Sequence, residues 1–574
     1  MKEYILEKIK LDIVKVINQA LKKKIVKASD LVYPPDLKMG DLSLPCFKLS
    51  AVKKSPAEAA SFLMSKLKFK SSEFSSIKAI GPYLNFTINN KFLASELFKT
   101  LEKEKEQFGK NKNGKKERVM IEYSNANTHK EYHVGHLRNI CFGDAVNKIL
   151  AANGNETVPV SYINDFGIHV AKTLWAYLEF FKNKKIEKNK GYFLSQVYAR
   201  AIKELEKSKT GNEMVKFIMR KIESRQGSEY RLWQKTRGWS IKQFNEIYQE
   251  LGIKFTQIFY ESEFINEGLK MVDKLLKKGV FEKSEGAIIA NLEKFNLGVL
   301  MFLRSDGTAM YPVADLSLAI EKVKKYRLAK SIYVVDVRQS LNFKQLFKVL
   351  ELIGQKEKFI HLGYEFIKLP SGMMSSRTGE IITYHDLHDE IIKKAIKETK
   401  KRHKDWGENK ILEAAKIIAI GAIKFEMVKV NANQVITFDI NKALQFEGYT
   451  AAYLQYTYAR IRSIFRKCDA NPRINSNAAN CEYANLKEVK EHEMVLKLAM
   501  FPEIVAKAGE NYDPSEIAKY LFDLAQLFND YYHSVPVLKA KEEIRDARLV
   551  LINAVSQVIE NGLELLGIET VDEM

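Results

Sequence analysis

Between residues 118 and 138 the chain passes from a strand through a polar loop into a helix, and no other segment restricts the fold as much. Residues 118–123 are apolar enough for a buried strand. Apolar residues then recur at helical spacing at Leu137, Ile140, Cys141, Ala145 and Ile149, until Asn153-Gly154 stops the pattern. The join holds His133-Val134-Gly135-His136. A helix N-terminus presents unpaired N–H groups and positive potential, which suits a phosphate. Two imidazoles placed there can donate hydrogen bonds to oxygens that gain charge in phosphoryl or nucleotidyl transfer. Gly135 leaves a ligand free to approach the backbone. With 10 His and 28 Gly in 574 residues, chance predicts ~0.01 copies of His-x-Gly-His. Two incidental surface histidines are therefore the weaker reading.

The same strand-then-helix grammar continues from residue 117 to about 400. Short β-rich runs at 157–163, 331–335 and 358–361 alternate with longer helical patterns, which predicts a parallel sheet with crossovers, the doubly wound α/β class. The mostly charged, helical stretch from about 176 to 293 reads as a connecting insertion, too short for a separate hydrolytic domain. Residues 1–112 read as an α/β module that opens on an amphipathic helix (Ile5, Ile9, Ile13, Val14, Ile17). The polar, basic stretch 110–117 is its expected linker to a central domain, 113–405. Residues 406–574 are nearly all helical, the pattern of a bundle.

The formal net charge of +21 fits a polyanionic partner and a lysine-rich solvated surface about equally. Cys46, Cys141, Cys468 and Cys481 form no CxxC pair. That spacing argues against zinc and against a disulfide framework, and suits a reducing compartment. No apolar run approaches ~18 residues, so no membrane span is expected. The first residues lack the apolar core of a leader, and the cytoplasm is the expected location.

Ser124, Asn127, Lys130, His133, Val134, Gly135, His136, Leu137 and Arg138 spell Ser-x-x-Asn-x-x-Lys-x-x-His-Val-Gly-His-Leu-Arg. In this run the chain resembles the class I aminoacyl-tRNA synthetases, and arginyl-tRNA synthetase in particular. The resemblance spans the whole chain. It implies a Rossmann-like catalytic domain, an N-terminal α/β domain that meets the tRNA elbow (Gly40-Asp41 and residues 80–86), and an all-α anticodon-binding bundle. It also implies ATP-dependent formation of arginyl-adenylate, only with tRNA bound, and transfer to the 2′-hydroxyl of tRNA(Arg). ATP would enter as its Mg²⁺ complex, without protein-bound zinc, to an enzyme working as a monomer.

The family's second signature, a Lys-Met-Ser-Lys-Ser loop, falls at residues 370–379, where Met374 and Ser375 match but Met373 and Ser376 replace the lysines. Lys130, assisted by Arg377, would then carry the leaving pyrophosphate. His133, Gly135, His136, Met374, Ser375 and Ser376 map onto the ATP site. A guanidinium needs carboxylates and planar acceptors, and the resemblance places them at Asn127, Glu122, Tyr311, Asp315, Gln339 and Glu261. Tyr311 and Asp315 share one face if a helix starts there. Asp165 and Gly167 map onto the site wall, and Tyr453, Gln455, Tyr456 and Arg460 onto the anticodon-binding helices, whose aromatics suit splayed bases. The departures are Ala126 for Pro, Asn342 for His and His169 for Gln. With the missing loop lysines, Asn342 would also suit an alternative, a non-catalytic tRNA-binding paralogue.

Overall fold

The computed structural model describes residues 4–49, 55–67, 69–111, 113–186, 189–370, 372–373, 383–467 and 483–574. In the N-terminal part, helices α1 (Ile5–Leu21), α2 (Pro56–Lys66) and α3 (Asn90–Glu104) surround an antiparallel sheet. Its strands β1 (Leu42–Pro45), β2 (Phe74–Ile80) and β3 (Tyr83–Ile88) lie in the order β1-β3-β2. Gly40 sits at φ +119, where a Cβ would come within 2.9 Å of the Phe86 carbonyl oxygen. The next residue, Asp41, accepts from the Ile88 N–H at 2.7 Å. Lys10 and Tyr33 both reach Glu503, and His492 meets Asp41, so this sheet is docked onto the C-terminal helices.

Residues 110–117 are not a free linker. The N–H groups of Asn111, Gly114 and Lys116 donate to the carbonyls of Ala152, Asn153 and Gly154. Their polar composition leaves the backbone free to pair with the end of a neighbouring helix.

The central elements run β4 (Arg118–Glu122), α4 (Val134–Ala152), β5 (Glu156–Ile163), α5 (Ile168–Ala176), α6 (Lys190–Leu205), α7 (Lys209–Glu223) and α8 (Gly227–Glu250). They continue with β6 (Gln257–Tyr260), α9 (Glu261–Lys277), β7 (Glu282–Ser284), β8 (Ala287–Asn291), β9 (Val299–Leu303) and α10 (Tyr311–Tyr326). Next come β10 (Lys330–Asp336), α11 (Ser340–Leu352) and β11 (Lys358–Tyr364). Five strands pair in parallel in the order β11-β10-β4-β5-β6. Val119, Met120 and Ile121 on β4, and Ile332, Tyr333 and Val334 on β10, are buried on both faces, as a covered parallel sheet requires. The order reverses direction between β4 and β10, and such a switch point opens a ligand crevice at the strands' carboxyl ends.

Helices α5–α8 hold a core of their own around Val170, Leu174, Val197, Ile218 and Trp233. The excursion closes at α8 and the chain returns to the sheet as β6. The expected insertion therefore contains a sheet strand, one of four residues and too short to show a period between charged helices. An antiparallel sheet, β7-β8-β9, packs beneath α10 and α11.

After β12 (Ile367–Leu369) and β13 (Gly372–Met373) come α12 (Tyr384–Arg402), α13 (Glu408–Val428) and β14 (Ile436–Thr437). The all-α remainder is α14 (Ile440–Ala443), α15 (Ala451–Lys467), α16 (Val489–Asn511), α17 (Ser515–Ser534) and α18 (Glu542–Leu565). Inside this bundle the fully buried Glu491 accepts from Arg548 Nε at 2.7 Å and from the Tyr531 hydroxyl at 3.0 Å. Arg548 Nη1 in turn donates to the Pro536 carbonyl at 2.8 Å.

Candidate active site

At the switch point the β4–α4 loop brings His133 and His136 together. His133 is the N-cap of α4, and its Nδ1 accepts the Gly135 N–H at 3.1 Å. His136 Nδ1 accepts the His133 N–H at 3.2 Å. A ring nitrogen that accepts carries no proton, so both neutral rings hold theirs on Nε2. Burial, with the Lys130 charge adding to it, pushes His133 down to about 4. Burial, His133 and Lys130 together hold His136 well below the usual imidazole value. At neutral pH the site therefore presents two uncharged Nε2–H donors on rings whose centroids are 4.0 Å apart. Gly135 is under a second constraint beside the one expected of it. A Cβ there would come within 2.9 Å of the His133 ring, so the missing side chain makes room for that ring.

Lys130 lies against this pair, with its ammonium 5.4 Å from the centroid of Tyr198. Burial and the nearby Lys172 lower its pKa. Beside it His169 is buried, its Nε2 lacks a hydrogen-bond partner, and burial and Lys130 keep it neutral. Tyr198, on α6, also neighbours the Tyr311 phenol. It thus joins the histidine mouth to a second cluster.

That second cluster is acidic. Tyr311 opens α10, so Tyr311 and Asp315 share a helix face, and both lie near Glu261 at the start of α9. Burial, reinforced by Glu122 and opposed by Lys322, raises Asp315 to about 7. Burial, reinforced by Asp315 and Asp165 and opposed by the Asn164 amide, raises Glu261 to about 8. Asn164 donates to Glu261 at 3.0 Å and pairs through its backbone with the Asn127 strand extension, which draws Asn127 to the same wall. Two carboxylates thus stand together with no cation in ion-pair contact among the described residues.

Other expected residues have partners of their own. Glu122 is interior, close enough to Asp315 to push its carboxyl up, and paired with Lys322, whose ammonium sits among Tyr162, Phe259 and Tyr333. Asp165 accepts from Arg237 at 2.5 Å and from the backbone and hydroxyl of Ser262 at 2.9 and 2.8 Å, so it is a structural clamp. Neighbouring Gly167, at φ +112, caps the start of α5. Gln339 is exposed one turn beyond β10, and its Oε1 accepts from Asn342 at 2.8 Å. The departure at Asn342 therefore supports Gln339. Met374, Ser375, Ser376 and Arg377 lie outside the described residues, as do Cys468 and Cys481.

On α15, Tyr453 and Arg460 converge on Asn529, and Arg460 also donates to the Tyr456 hydroxyl at 3.1 Å. These three are partly exposed. Gln455 is on the opposite face, fully buried, and donates to the Glu569 carbonyl at 2.7 Å. It is a core residue and a correction to the nucleic-acid set.

Sequence reasoning missed Tyr198, Lys322 and Asn139, and gave its α4 neighbour Arg138 no role beyond its place in the signature. Arg138 is 1% exposed, and its Nη1 donates to the carbonyls of Glu365 and Gln434 at 2.6 and 2.8 Å. Asn139 donates to the Val334 carbonyl at 2.7 Å and accepts from the Ser124 N–H. Arginine and asparagine side by side on the buried face of an apolar helix were the available signal.

Residues 97–440 match the family model for tRNA synthetases class I (R), catalytic domain, and residues 454–574 the DALR anticodon binding domain. The chain is 36% identical over 555 residues to an arginine–tRNA ligase of Bdellovibrio bacteriovorus, covering 95% of this chain and 94% of that one. It is 31% identical over 573 residues to one of Clostridium acetobutylicum, covering 98% and 100%. Among solved structures it is similar to Thermus thermophilus arginyl-tRNA synthetase, with a TM-score of 0.80, 26% identity, and coverage of 98% and 100%.

Proposed function

The chain belongs to the class I arginyl-tRNA synthetases, and from that premise we propose how its side chains divide the reaction. It is an arginine–tRNA ligase, activating L-arginine with ATP and attaching it to tRNA(Arg). In the first step a carboxylate oxygen of arginine attacks the α-phosphorus of ATP, and the bond to the bridging oxygen of the pyrophosphate breaks. The Nε2–H groups of His133 and His136 donate to the phosphate oxygens as charge develops on them. Neutral donors held in place suffice for this work. Lys130 and Arg377 carry the leaving pyrophosphate. ATP arrives as its Mg²⁺ complex, with Gly135, Met374, Ser375 and Ser376 completing its site. In the second step the terminal 2′-hydroxyl attacks the arginyl carbonyl carbon and AMP leaves.

The guanidinium takes the space among Asp315, Glu261 and Tyr311, beside Asn127, with Gln339 at the carboxyl edge of the sheet. Its permanent charge supplies the cation that two buried carboxylates lack. Glu122 acts at one remove, by anchoring Lys322. Tyr453, Tyr456 and Arg460 offer a stacking face to anticodon bases, and the N-terminal sheet faces the tRNA elbow. The enzyme works as a monomer in the cytoplasm. No helix among the described residues is long and apolar enough to cross a membrane.

One observation carries these roles: two uncharged Nε2–H donors beside Lys130, near an acidic pocket whose Asp315 and Glu261 have no ion-pair partner among the described residues. The test is charging of total tRNA with labelled arginine and a panel of other amino acids, beside His136→Ala. Arginine alone should charge, and the variant should be slowed by about 100-fold or more. Tight tRNA binding without charging would instead favour the non-catalytic paralogue.

A further inference from the structure

Helix α8 lays one face along the whole loop that carries the histidines. Its residues Trp233, Thr236, Arg237, Ser240 and Tyr248 recur at helical spacing, and each is bonded to that loop or to the strand end beside it. Trp233 Nε1 donates to the Asp165 carbonyl at 2.9 Å, and Arg237 holds the Asp165 carboxylate. Ser124 Oγ donates to the Tyr248 hydroxyl at 2.9 Å. Between these, Thr236 and Ser240 close on His129. The Ser240 hydroxyl accepts the His129 N–H at 3.0 Å, and Thr236 Oγ1 lies 2.8 Å from His129 Nε2.

His129 is fully buried and sits at φ +63, a backbone state that side-chain-bearing residues seldom take. The shorter hydrogen bonds favour one tautomer. Thr236 gives its hydroxyl proton to the Leu232 carbonyl at 2.9 Å, so toward His129 it accepts from Nε2–H. The Thr128 hydroxyl is 3.5 Å from its other acceptor, the Asn164 carbonyl, but 2.9 Å from His129 Nδ1, to which it donates. The residue that follows is Lys130, and four residues on is His133.

We propose that Thr236 and Ser240 are positioning residues for adenylate formation: acting through His129, they set where Lys130 and the His133–His136 pair meet the phosphates. This rests on the roles assigned above to Lys130 and the histidines. The helical excursion then does more than cover the sheet, because a displacement of α8 is passed directly to the cation beside the leaving group. Misplacing a reacting or stabilising group by about 1 Å can cost on the order of 100-fold in rate.

The experiment compares the two half-reactions per titrated active site in the full chain. Arginine-dependent ATP–pyrophosphate exchange, with tRNA present, reports the first step. Single-turnover transfer from chemically synthesised arginyl-adenylate added to the enzyme–tRNA complex reports the second, which has no pyrophosphate to stabilise. Thr236→Val keeps the side chain's shape and removes the hydroxyl. It should slow exchange by about tenfold or more while transfer changes less than about twofold, and Thr236→Ser should restore both. His129→Gln, which can place an N–H where Nε2 stood, should outperform the shorter His129→Asn. Unchanged exchange in Thr236→Val would overturn the proposal. So would equal slowing of both steps, the mark of a merely structural role. A wild-type chain without arginine-dependent exchange would instead overturn the functional reading beneath it.

Discussion

Two buried acidic sites in this molecule are built from the same chemistry and left in opposite states. In the bundle, Glu491 meets Arg548, Tyr531 and the Glu488 N–H, so every demand of a buried carboxylate is met from within the chain. In the sheet crevice, burial outweighs what Lys322 and the Tyr162 hydroxyl give Asp315 and what the Asn164 amide gives Glu261, and both are pushed up toward neutrality, to about 7 and about 8. A buried charge must be paired or must take up a proton. Where the chain pairs it, the result is a fixed joint between helices. Where no ion pair forms among the described residues, the result is a pair of carboxyls held toward neutrality.

Breaking the satisfied site should cost most. Arg548→Met strands Glu491 in the interior, and denaturant melts should show a loss of about 3–5 kcal/mol with arginine affinity unchanged. A midpoint equal to wild type would remove the distinction between the two sites. Asp315→Ala should do the reverse. Calorimetry should find arginine binding weakened by about 100-fold, as loss of a charge-assisted contact to a guanidinium predicts, with ATP affinity and thermal midpoint held. If that variant melts as early as Arg548→Met, Asp315 is structural.

The most diagnostic effect concerns protons alone and changes no side chain. Asp315 and Glu261 bind protons more tightly in the folded free enzyme than in the unfolded chain. Their contribution to stability is therefore whole below about pH 4 and is lost as pH rises through about 7 and about 8. Arginine affinity should move the opposite way, since the guanidinium needs ionised partners. It should climb from pH 6 to pH 8 by up to about tenfold per pH unit for each proton released. Titrations in buffers of different ionisation enthalpy would read that release directly. Flat affinity across the window would mean the acids ionise without their ligand.

What could be read from the sequence and what could not divides along contact range. The histidine mouth is local: its rare residue types, the strand before it and the helix after it fall within about 35 residues, so spacing alone exposes it. β5 and β10 declare themselves by β-branched runs and β11 by a short apolar one, whereas β6 is too brief to do so. The pocket is a different case. Glu122 looks like an unpaired acid until Lys322, 200 positions away, is folded against it. Gln455 shares a helix with Tyr453 and Tyr456, and only the packing of residue 569 decides which face is interior. The row on α8 under His129 is equally silent, because Thr and Ser at helical spacing are ordinary until something is laid across them.

The wiring of His133 and His136 has a consequence for how such a site can be inherited. Each ring takes its tautomer from an N–H of its own loop, Gly135 for one and His133 for the other, so no distant side chain is needed to decide which nitrogen carries the proton. A device whose settings come from its own backbone is portable. It can stay intact while loops elsewhere exchange one recognised side chain for another, and chemistry and specificity can then change independently along a lineage.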